Sequence, residues 1–325
     1  MKILLIGGTG FLGSRLVQRL ASDHQIALLH QGKTTVAFPP GIREIHGNRR
    51  ELEKAKSEIH SFAPEIVLDI ILSSRAQAVD LLKVCKGIAK RVVAISSCDV
   101  YQAYDVFLGG SSGIEPTPLT ETSNLRKNLF LLKNSLKSMD PSVMPLWIDQ
   151  DYEKIEVEQT IMHDANIQGT VLRLPMIYGP GDVQKRFSNI IEWQKDDRDV
   201  ILDAQTANWM GPWGYVDNVI EAIYLGVTQE KAAGKIYHVA DSSALSYSEI
   251  VQKIGAALGW KGKIQISQKE YLPTNLKSIF NVSTINAKQN LAIDITKISK
   301  ELGYQRVVQE SQAFYQTYHW LSRAG

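Results

Sequence analysis

The fold is decided by the stretch from Lys2 to Gly13, which reads KILLIGGTGFLG. A short apolar run ends at three glycines spaced three residues apart, and apolar residues at helical spacing follow. An apolar run that meets a glycine turn and leads into an amphipathic helix is typical of a buried strand joined directly to a helix. The opening of the chain therefore predicts a β-turn-α unit.

The three glycines have separate uses in such a unit. Gly7 permits a tight turn, Gly10 lets the backbone approach a pyrophosphate, and Gly13 lets the helix pack closely on the strand. The helix N-terminus also directs free N–H groups and the positive end of its dipole toward that anion. We therefore predict a Rossmann-type dinucleotide site that includes Gly7, Gly10, Phe11, Leu12 and Gly13.

Strand-like and helix-like segments alternate along the first half of the chain. The strand candidates are nearly continuous in Ile, Leu and Val, as expected when helices cover both faces of a sheet. Strict β-α-β alternation predicts a doubly wound parallel α/β sheet of Rossmann type with right-handed crossovers. The predicted strands are Lys2–Ile6, Ile26–Leu29, Arg43–His46, Ile66–Leu72 and Arg91–Ser96.

Two units are expected along the chain. Residues 1–174, joined again by 216–242, are predicted to form the Rossmann domain. Residues 175–215 and 243–325 are predicted to form a smaller C-terminal substrate-binding lobe. The irregular stretch Asp99–Gln150 contains glycine and proline clusters and is interpreted as an insertion over the active site, with one helix at Leu125–Lys137.

Composition argues against several classes of protein. Apolar residues make up 44% of the chain, charged residues 22%, and the net charge is only +2. This balance gives no reason to expect nucleic acid or an anionic membrane as partner. No apolar run approaches the roughly 20 residues that cross a bilayer, and the N-terminal strand leaves no room for a cleavable signal. Cys85 and Cys98 lack metal-type spacing and indicate no disulfide framework, so we expect a reducing cytoplasm and no metal site.

The residues after the second and third predicted strands bear on which dinucleotide is bound. An NAD-selective site usually carries an acid there to hold the ribose hydroxyls, but the stretch Leu28–Lys33 reads LLHQGK, without an acid. Gln31 and Lys33 lie in this position, and Lys33, with Arg15 as a further candidate, offers a cation to a 2′-phosphate. Asn48 lies where an adenine contact is expected. We predict NADP in preference to NAD. The alternative for Lys33 is an ordinary loop lysine, and the alternative for Asn48 is a simple turn asparagine.

Further stretches make the chain resemble a known family. They are Ser96–Tyr101 (SSCDVY), Leu172–Asp182 (LRLPMIYGPGD), Gly214–Val219 (GYVDNV) and, less closely, Ile293–Tyr304. With the glycine loop they occur in family order over nearly the whole chain. The chain resembles an extended or atypical short-chain dehydrogenase/reductase of the NAD-dependent epimerase/dehydratase superfamily. The resemblance implies NAD(P)-dependent chemistry on a small hydroxyl or carbonyl substrate, with sugar nucleotides among the candidates.

The resemblance also implies a catalytic serine, a tyrosine, and a lysine four residues after the tyrosine. In that family the serine positions the substrate oxygen, the tyrosine exchanges a proton, and the lysine lowers the tyrosine pKa and holds the ribose. Ser97 matches the serine, with a hydroxyl bonded only to backbone as the alternative. Pro175 matches a position whose neighbouring backbone meets the nicotinamide carboxamide.

Tyr152 and Lys154 are the candidates for the other two roles, but they depart from the family spacing. Glu156 lies four residues after Tyr152, whereas Lys154 keeps the family's spacing to Glu158 and would put Gln150 at the tyrosine position. The spacing alone therefore does not assign the pair.

Helix geometry leaves two pictures of this segment. Residues two apart on a regular helix differ by about 200°, so Tyr152 and Lys154 point the same way only if Tyr152 precedes the first turn. Asp149 or Asp151 as N-cap would allow that boundary. In the other picture the helix is regular and Glu156 takes the lysine's place, which would raise the tyrosine pKa.

Two classes of function follow. The first is an NAD(P)-dependent oxidoreductase or epimerase/dehydratase-type enzyme acting on a small-molecule substrate. The second, motivated by the altered Tyr/Lys spacing, is a catalytically impaired dinucleotide-binding regulator or an RNA-associated atypical short-chain dehydrogenase. The near-neutral charge disfavours the RNA version. A homodimer is compatible with the sequence.

Overall fold

Seven parallel strands form the main sheet in the part of the chain that the computed structural model describes, residues 1–34, 36–130, 148–241, 244–268, 276–280 and 284–323. The strands are β1 (Lys2–Ile6), β2 (Gln25–His30), β3 (Arg43–His46), β4 (Ile66–Asp69), β5 (Arg91–Ser97), β6 (Gln168–Leu174) and β10 (Lys235–His238). Their order across the sheet is β10-β6-β5-β4-β1-β2-β3.

Helices and two smaller sheets surround the main sheet. The short strands β7 (Met176–Tyr178) and β9 (Trp213–Tyr215) pair in parallel, as do β8 (Val200–Asp203) and β11 (Ile264–Ser267). No helix among the described residues is long and apolar enough to span a membrane. The α-helices described are α1 (Gly13–Ala21), α2 (Lys56–Phe62), α3 (Arg75–Cys85), α4 (Gln102–Phe107), α5 (Lys154–Met162), α6 (Ser188–Trp193), α7 (Ala204–Asn208), α8 (Val216–Thr228), α9 (Tyr247–Leu258), α10 (Leu276–Phe280), α11 (Thr296–Leu302) and α12 (Glu310–Arg323).

The main sheet buries side chains on both of its faces. In β1, Ile3 and Leu5 belong to the apolar cluster that contains residues of α1 and α8. Leu4 and Ile6 belong to a second cluster with residues of α2, α3 and α5. All four side chains are fully buried, which explains why the strands read as continuous apolar runs. The predicted doubly wound α/β fold is confirmed.

The strand order reverses beside β1. This strand lies between β2 and β4, and the chain leaves β1 through α1 on one face and β4 through α3 on the other. In open α/β sheets, ligands bind in the crevice outside the carboxyl ends of the strands at such a reversal. The Gly7–Gly13 loop and the ends of β4, β5 and β6 all open at this edge.

The insertion differs from its prediction in two respects, and the first is helix α4 at Gln102–Phe107, in a stretch predicted to be irregular. The helix predicted at Leu125–Lys137 is wrong for residues 125–130, while 131–137 lie outside the described residues. Leu125 forms an isolated bridge with Tyr101. Arg126 turns inward to a buried ion pair with Glu153, with 2.8 Å between the charged groups. A long-range contact therefore overrides the local helical pattern.

Candidate functional site

The glycine loop joins β1 to α1. Gly7 has φ +100°, a left-handed backbone conformation that favours glycine. A Cβ at Gly13 would lie 2.3 Å from the carbonyl oxygen of Gly7 and 2.6 Å from Gly8 Cα, so only glycine allows this approach of helix to loop. At Gly10, a Cβ would meet no heavy atom within 4 Å. Open space therefore borders the loop at Gly10.

This space fits the pyrophosphate of a nicotinamide dinucleotide. Helix α1 carries no acidic residue in its first turn, so no carboxylate there opposes an anion at the positive end of the helix dipole. Phe11 and Leu12 lie between the open position at Gly10 and the first residue of the helix. The residues that would hold the group are those that the sequence predicted, Gly7 to Gly13.

Gln31 and Asn48 meet beyond the ends of β2 and β3. Gln31 Nε2 donates to Asn48 Oδ1 at 3.4 Å, and the same oxygen accepts from the Arg50 amide at 3.1 Å. Asn48 thereby caps the 3-10 helix Arg49–Ala55, which is the turn role that the sequence left as its alternative. Lys33 is exposed, two residues after Gln31. The structure thus brings Gln31 and Asn48 together at the carboxyl ends of β2 and β3.

Arg15 contacts the C-terminal half of the chain. Its guanidinium donates to the Pro180 carbonyl at 2.7 Å, and its Nε lies 3.3 Å from a carboxylate oxygen of Asp217. These bonds tie α1 to the loop after β7 and to the start of α8. A contact between Arg15 and a 2′-phosphate would have to compete with them.

Ser97 and Pro175 line one cleft of about 590 Å³. Ser97 is the last residue of β5, and Pro175 follows β6 directly. Ser97 Oγ accepts a hydrogen bond from the Asp99 amide at 3.2 Å, which leaves its hydroxyl hydrogen to donate elsewhere. Much of the remaining lining is aromatic, with a guanidinium beside it: Tyr104, Phe107, Phe187, Trp213, Tyr247 and Arg186.

Tyr152 lies ahead of helix α5. The helix begins at Lys154, and its N-cap is Glu153, whose side chain accepts from the Ile155 amide at 2.9 Å. Neither Asp149 nor Asp151 is the cap. The backbone therefore has Tyr152 before the first turn, and the alternative of a regular helix through Tyr152 is wrong.

Lys154 is buried and lies close to Tyr152. Its Nζ is 5.6 Å from the centre of the Tyr152 ring. The same Nζ donates to the main-chain carbonyl of Ile95 at 2.9 Å and to that of Leu72. Burial lowers the pKa of Lys154 to about 8, and the carboxylates of Asp99 and Asp69 oppose that shift. The ammonium group is therefore adjacent to the tyrosine but bonded to the main chain.

The carboxylate that acts on Tyr152 is Asp99, not Glu156. Tyr152 donates from its hydroxyl to Asp99 Oδ2 at 3.4 Å. Burial raises the pKa of Tyr152 well above its ordinary value, and Asp99 raises it further. Glu156 lines a separate surface depression with Arg75 and His163. The phenol of Tyr152 therefore keeps its proton at neutral pH.

Asp99 is the candidate functional residue that the sequence interpretation missed. It lines the cleft with Ser97, and its Oδ1 is buried with no hydrogen-bond partner among the described residues. Burial raises the pKa of this carboxyl group, while Arg126 and Lys154 offset part of the effect. The residue is visible in the matched stretch SSCDVY, but a search for serine, tyrosine and lysine gives no reason to select it.

No protein-family model matches the chain. Over 268 residues the chain is 22% identical to 2'-dehydrokanamycin reductase of Streptomyces kanamyceticus, a match that covers 80% of this chain and 67% of the reductase. Among solved structures, UDP-glucose 4-epimerase of Thermotoga maritima superimposes with a TM-score of 0.67 at 14% identity, covering 100% of this chain and 99% of the other. The dTDP-glucose 4,6-dehydratase of Bacillus anthracis, solved with NAD, gives 0.66 at 17% identity, covering 99% and 97%.

The likeness to the two solved structures extends over nearly the whole chain, and the match to the reductase over 80% of it. The fold is that of the NAD-dependent sugar-nucleotide epimerases and dehydratases, as the glycine loop and the SSCDVY and LRLPMIYGPGD stretches implied.

Proposed function

We propose that the chain is an NAD(P)-dependent oxidoreductase or epimerase/dehydratase-type enzyme that acts on a hydroxyl or carbonyl group of a small polar substrate. The observation that carries this proposal is the position of one cleft at the carboxyl edge of the sheet. Ser97, Asp99 and Pro175 line it, and the Tyr152 hydroxyl is bonded to Asp99. The glycine loop opens at the same edge.

The chain's own groups suit proton transfer at an oxygen atom. When bound, the dinucleotide supplies or accepts hydride at C4 of its nicotinamide. The Ser97 hydroxyl can orient a substrate oxygen by donating a hydrogen bond. Tyr152 keeps its proton at neutral pH and donates a hydrogen bond to Asp99, whose pKa is raised by burial. The geometry therefore favours Tyr152 as the proton donor to a developing alkoxide, with Asp99 holding its hydroxyl at the cleft.

The cleft suits a flat or sugar-like substrate with an anionic part. Its aromatic side chains offer ring faces, and Arg186 offers a cation, although its guanidinium also donates to Asp182 at 3.0 Å. Trp213 Nε1 is buried without a partner among the described residues. It is therefore a further donor for a substrate hydroxyl. We place a sugar nucleotide first among the candidate substrates, in the lobe formed by 175–215 and 243–325.

We propose NADP as the preferred cofactor because the stretch after β2 carries Lys33 and no acid. A charge-assisted contact with the 2′-phosphate contributes about 1.5–3 kcal/mol, or on the order of tenfold or more in affinity. NADPH is expected to bind more tightly than NADH. The Lys33→Ala variant should reduce this difference in affinity between the two nucleotides. Fluorescence titration measures both affinities, with Lys231→Ala as the control lysine. Equal affinities in the parent protein would contradict this preference.

The proposed function is tested by nicotinamide fluorescence with a panel of carbonyl substrates that includes keto-sugar nucleotides. The parent protein should bind NADPH and oxidise it with at least one substrate. Tyr152→Phe and Asp99→Asn should each lower kcat by about 10²–10⁴-fold with unchanged NADPH affinity, whereas the exposed Tyr315→Phe should have no effect. Full turnover in both site variants would remove Tyr152 and Asp99 from the chemistry.

One observation favours the second candidate, a dinucleotide-binding regulator without turnover. The ammonium group of Lys154 donates its hydrogen bonds to two main-chain carbonyls. It is therefore not placed to lower the pKa of Tyr152. Cofactor binding with no turnover across the panel would support this candidate. For either function we propose a cytoplasmic protein, with a homodimer as its assembly.

A further inference from the structure

Three side chains with metal-ligating atoms meet at the edge of the sheet, outside the cleft. His30 is the last residue of β2, and His46 is the last residue of the edge strand β3. The parallel register pairs these two residues directly. Glu44 lies two residues before His46 and so projects from the same face of the strand. Strand register therefore brings two imidazoles and one carboxylate together.

The distances between the donor atoms suit one metal ion. His30 Nε2 lies 2.9 Å from Glu44 Oε2, and His46 Nε2 lies 3.6 Å from the same oxygen. All three atoms lie within 4.8 Å of one another. Ligands about 2.0–2.2 Å from a tetrahedral zinc ion are separated by about 3.3–3.5 Å, so small side-chain rotations bring these atoms to that spacing.

The three candidate ligands differ in exposure: His30 is buried, whereas Glu44 and His46 are accessible to solvent. His30 is buried at 8% exposure, and the edge of its ring packs against Phe38 with 5.8 Å between ring centres. The side chains of Glu44 and His46 are 45% and 65% exposed. An ion can therefore enter from solvent and keep water in its open position. Within the described ranges, no other group of three His, Cys, Asp or Glu side chains has this spacing.

We propose that His30 Nε2, Glu44 Oε2 and His46 Nε2 form a binding site for a divalent transition metal, with zinc as the probe. Two imidazoles and one carboxylate are a ligand set that zinc accepts with water in the fourth position. Metal binding at Nε2 places the ring proton of His30 on Nδ1, so the hydrogen bond that Nδ1 accepts from the Gly32 amide at 3.3 Å is lost on binding. The site departs from the expectation of no metal, which rested on cysteine spacing. It adjoins Gln31 and Asn48, which are predicted to lie at the adenosine end of the cofactor site, and its test therefore measures metal binding alone.

The test uses tag-free full-length protein, Zn²⁺ titration calorimetry and Co²⁺ absorption. The parent protein should bind one equivalent of Zn²⁺, and Co²⁺ should give the visible bands of a low-coordinate nitrogen and oxygen site. His46→Ala and Glu44→Gln, both at exposed positions, should each weaken Zn²⁺ binding on the order of tenfold or more. His163→Ala removes an exposed histidine at the end of α5 and should leave binding unchanged.

Circular dichroism establishes that each variant is folded before titration. Absence of Zn²⁺ binding in the parent protein would overturn the site. Parent-like affinity in both His46→Ala and Glu44→Gln would also overturn it, because the metal would then be bound elsewhere. Neither outcome changes the tests of NADPH binding or turnover.

Discussion

Two glycines of the same loop have different physical reasons to be glycine. Gly13 is surrounded by main-chain atoms, the nearest 2.3 Å from where a Cβ would be. Gly10 borders open space, and its backbone is not in the left-handed region. A side chain at Gly13 therefore disturbs the fold, whereas one at Gly10 occupies only the space proposed for the pyrophosphate.

Gly10→Val should fold and lose dinucleotide binding, because its side chain fills the space beside the loop. Gly13→Ala should lower the free energy of unfolding by about 1–3 kcal/mol, the usual cost of overpacking. Urea unfolding and NADPH titration measure the two effects. Parent-like NADPH affinity in a folded Gly10→Val protein would refute the glycine-loop site.

The need for glycine at Gly7 and Gly13 could be predicted because it depends on local backbone geometry after a strand. Asp99 could not be selected in the same way. Its importance comes from burial in the cleft and from the Tyr152 hydroxyl, 53 residues away along the chain. Such a contact leaves no periodic signal in the sequence.

The start of helix α5 is the element that positions Tyr152 and Lys154. Glu153 caps the helix and is fully buried, and Arg126 binds both of its carboxylate oxygens at 2.8 Å. The Phe130 amide donates to the same carboxylate at 2.7 Å. The cap thus depends on the insertion, which explains why local pattern pointed to Asp149 or Asp151 instead.

Glu153→Ala should lower the free energy of unfolding by about 3–5 kcal/mol, because it leaves the buried Arg126 guanidinium without its partner. The matched control is Glu156→Ala, one turn further along the helix at a partly exposed position. This variant should change the free energy of unfolding by less than about 0.5 kcal/mol. Urea denaturation followed by circular dichroism compares the two. Equal stability of the two variants would show that Glu153 does not fix the start of α5.

Across the whole molecule, the parallel topology places the glycine loop, Ser97 and Pro175 at one edge of the sheet. That arrangement follows from strand order, because parallel strands have their carboxyl ends at the same edge. The sequence could therefore predict that these residues share one edge, where the site is proposed. It could not predict the cleft lining, since Phe107, Phe187 and Trp213 come from segments that meet only in the folded chain.

The most direct test of the proposed function is a crystal structure of the chain with NADPH bound. We predict that the pyrophosphate lies on the loop from Gly10 to Gly13. We also predict that the nicotinamide ring lies beside Pro175, with C4 facing the space next to Ser97, Asp99 and Tyr152. A nicotinamide placed away from these residues, or a pyrophosphate that does not touch the glycine loop, would contradict it.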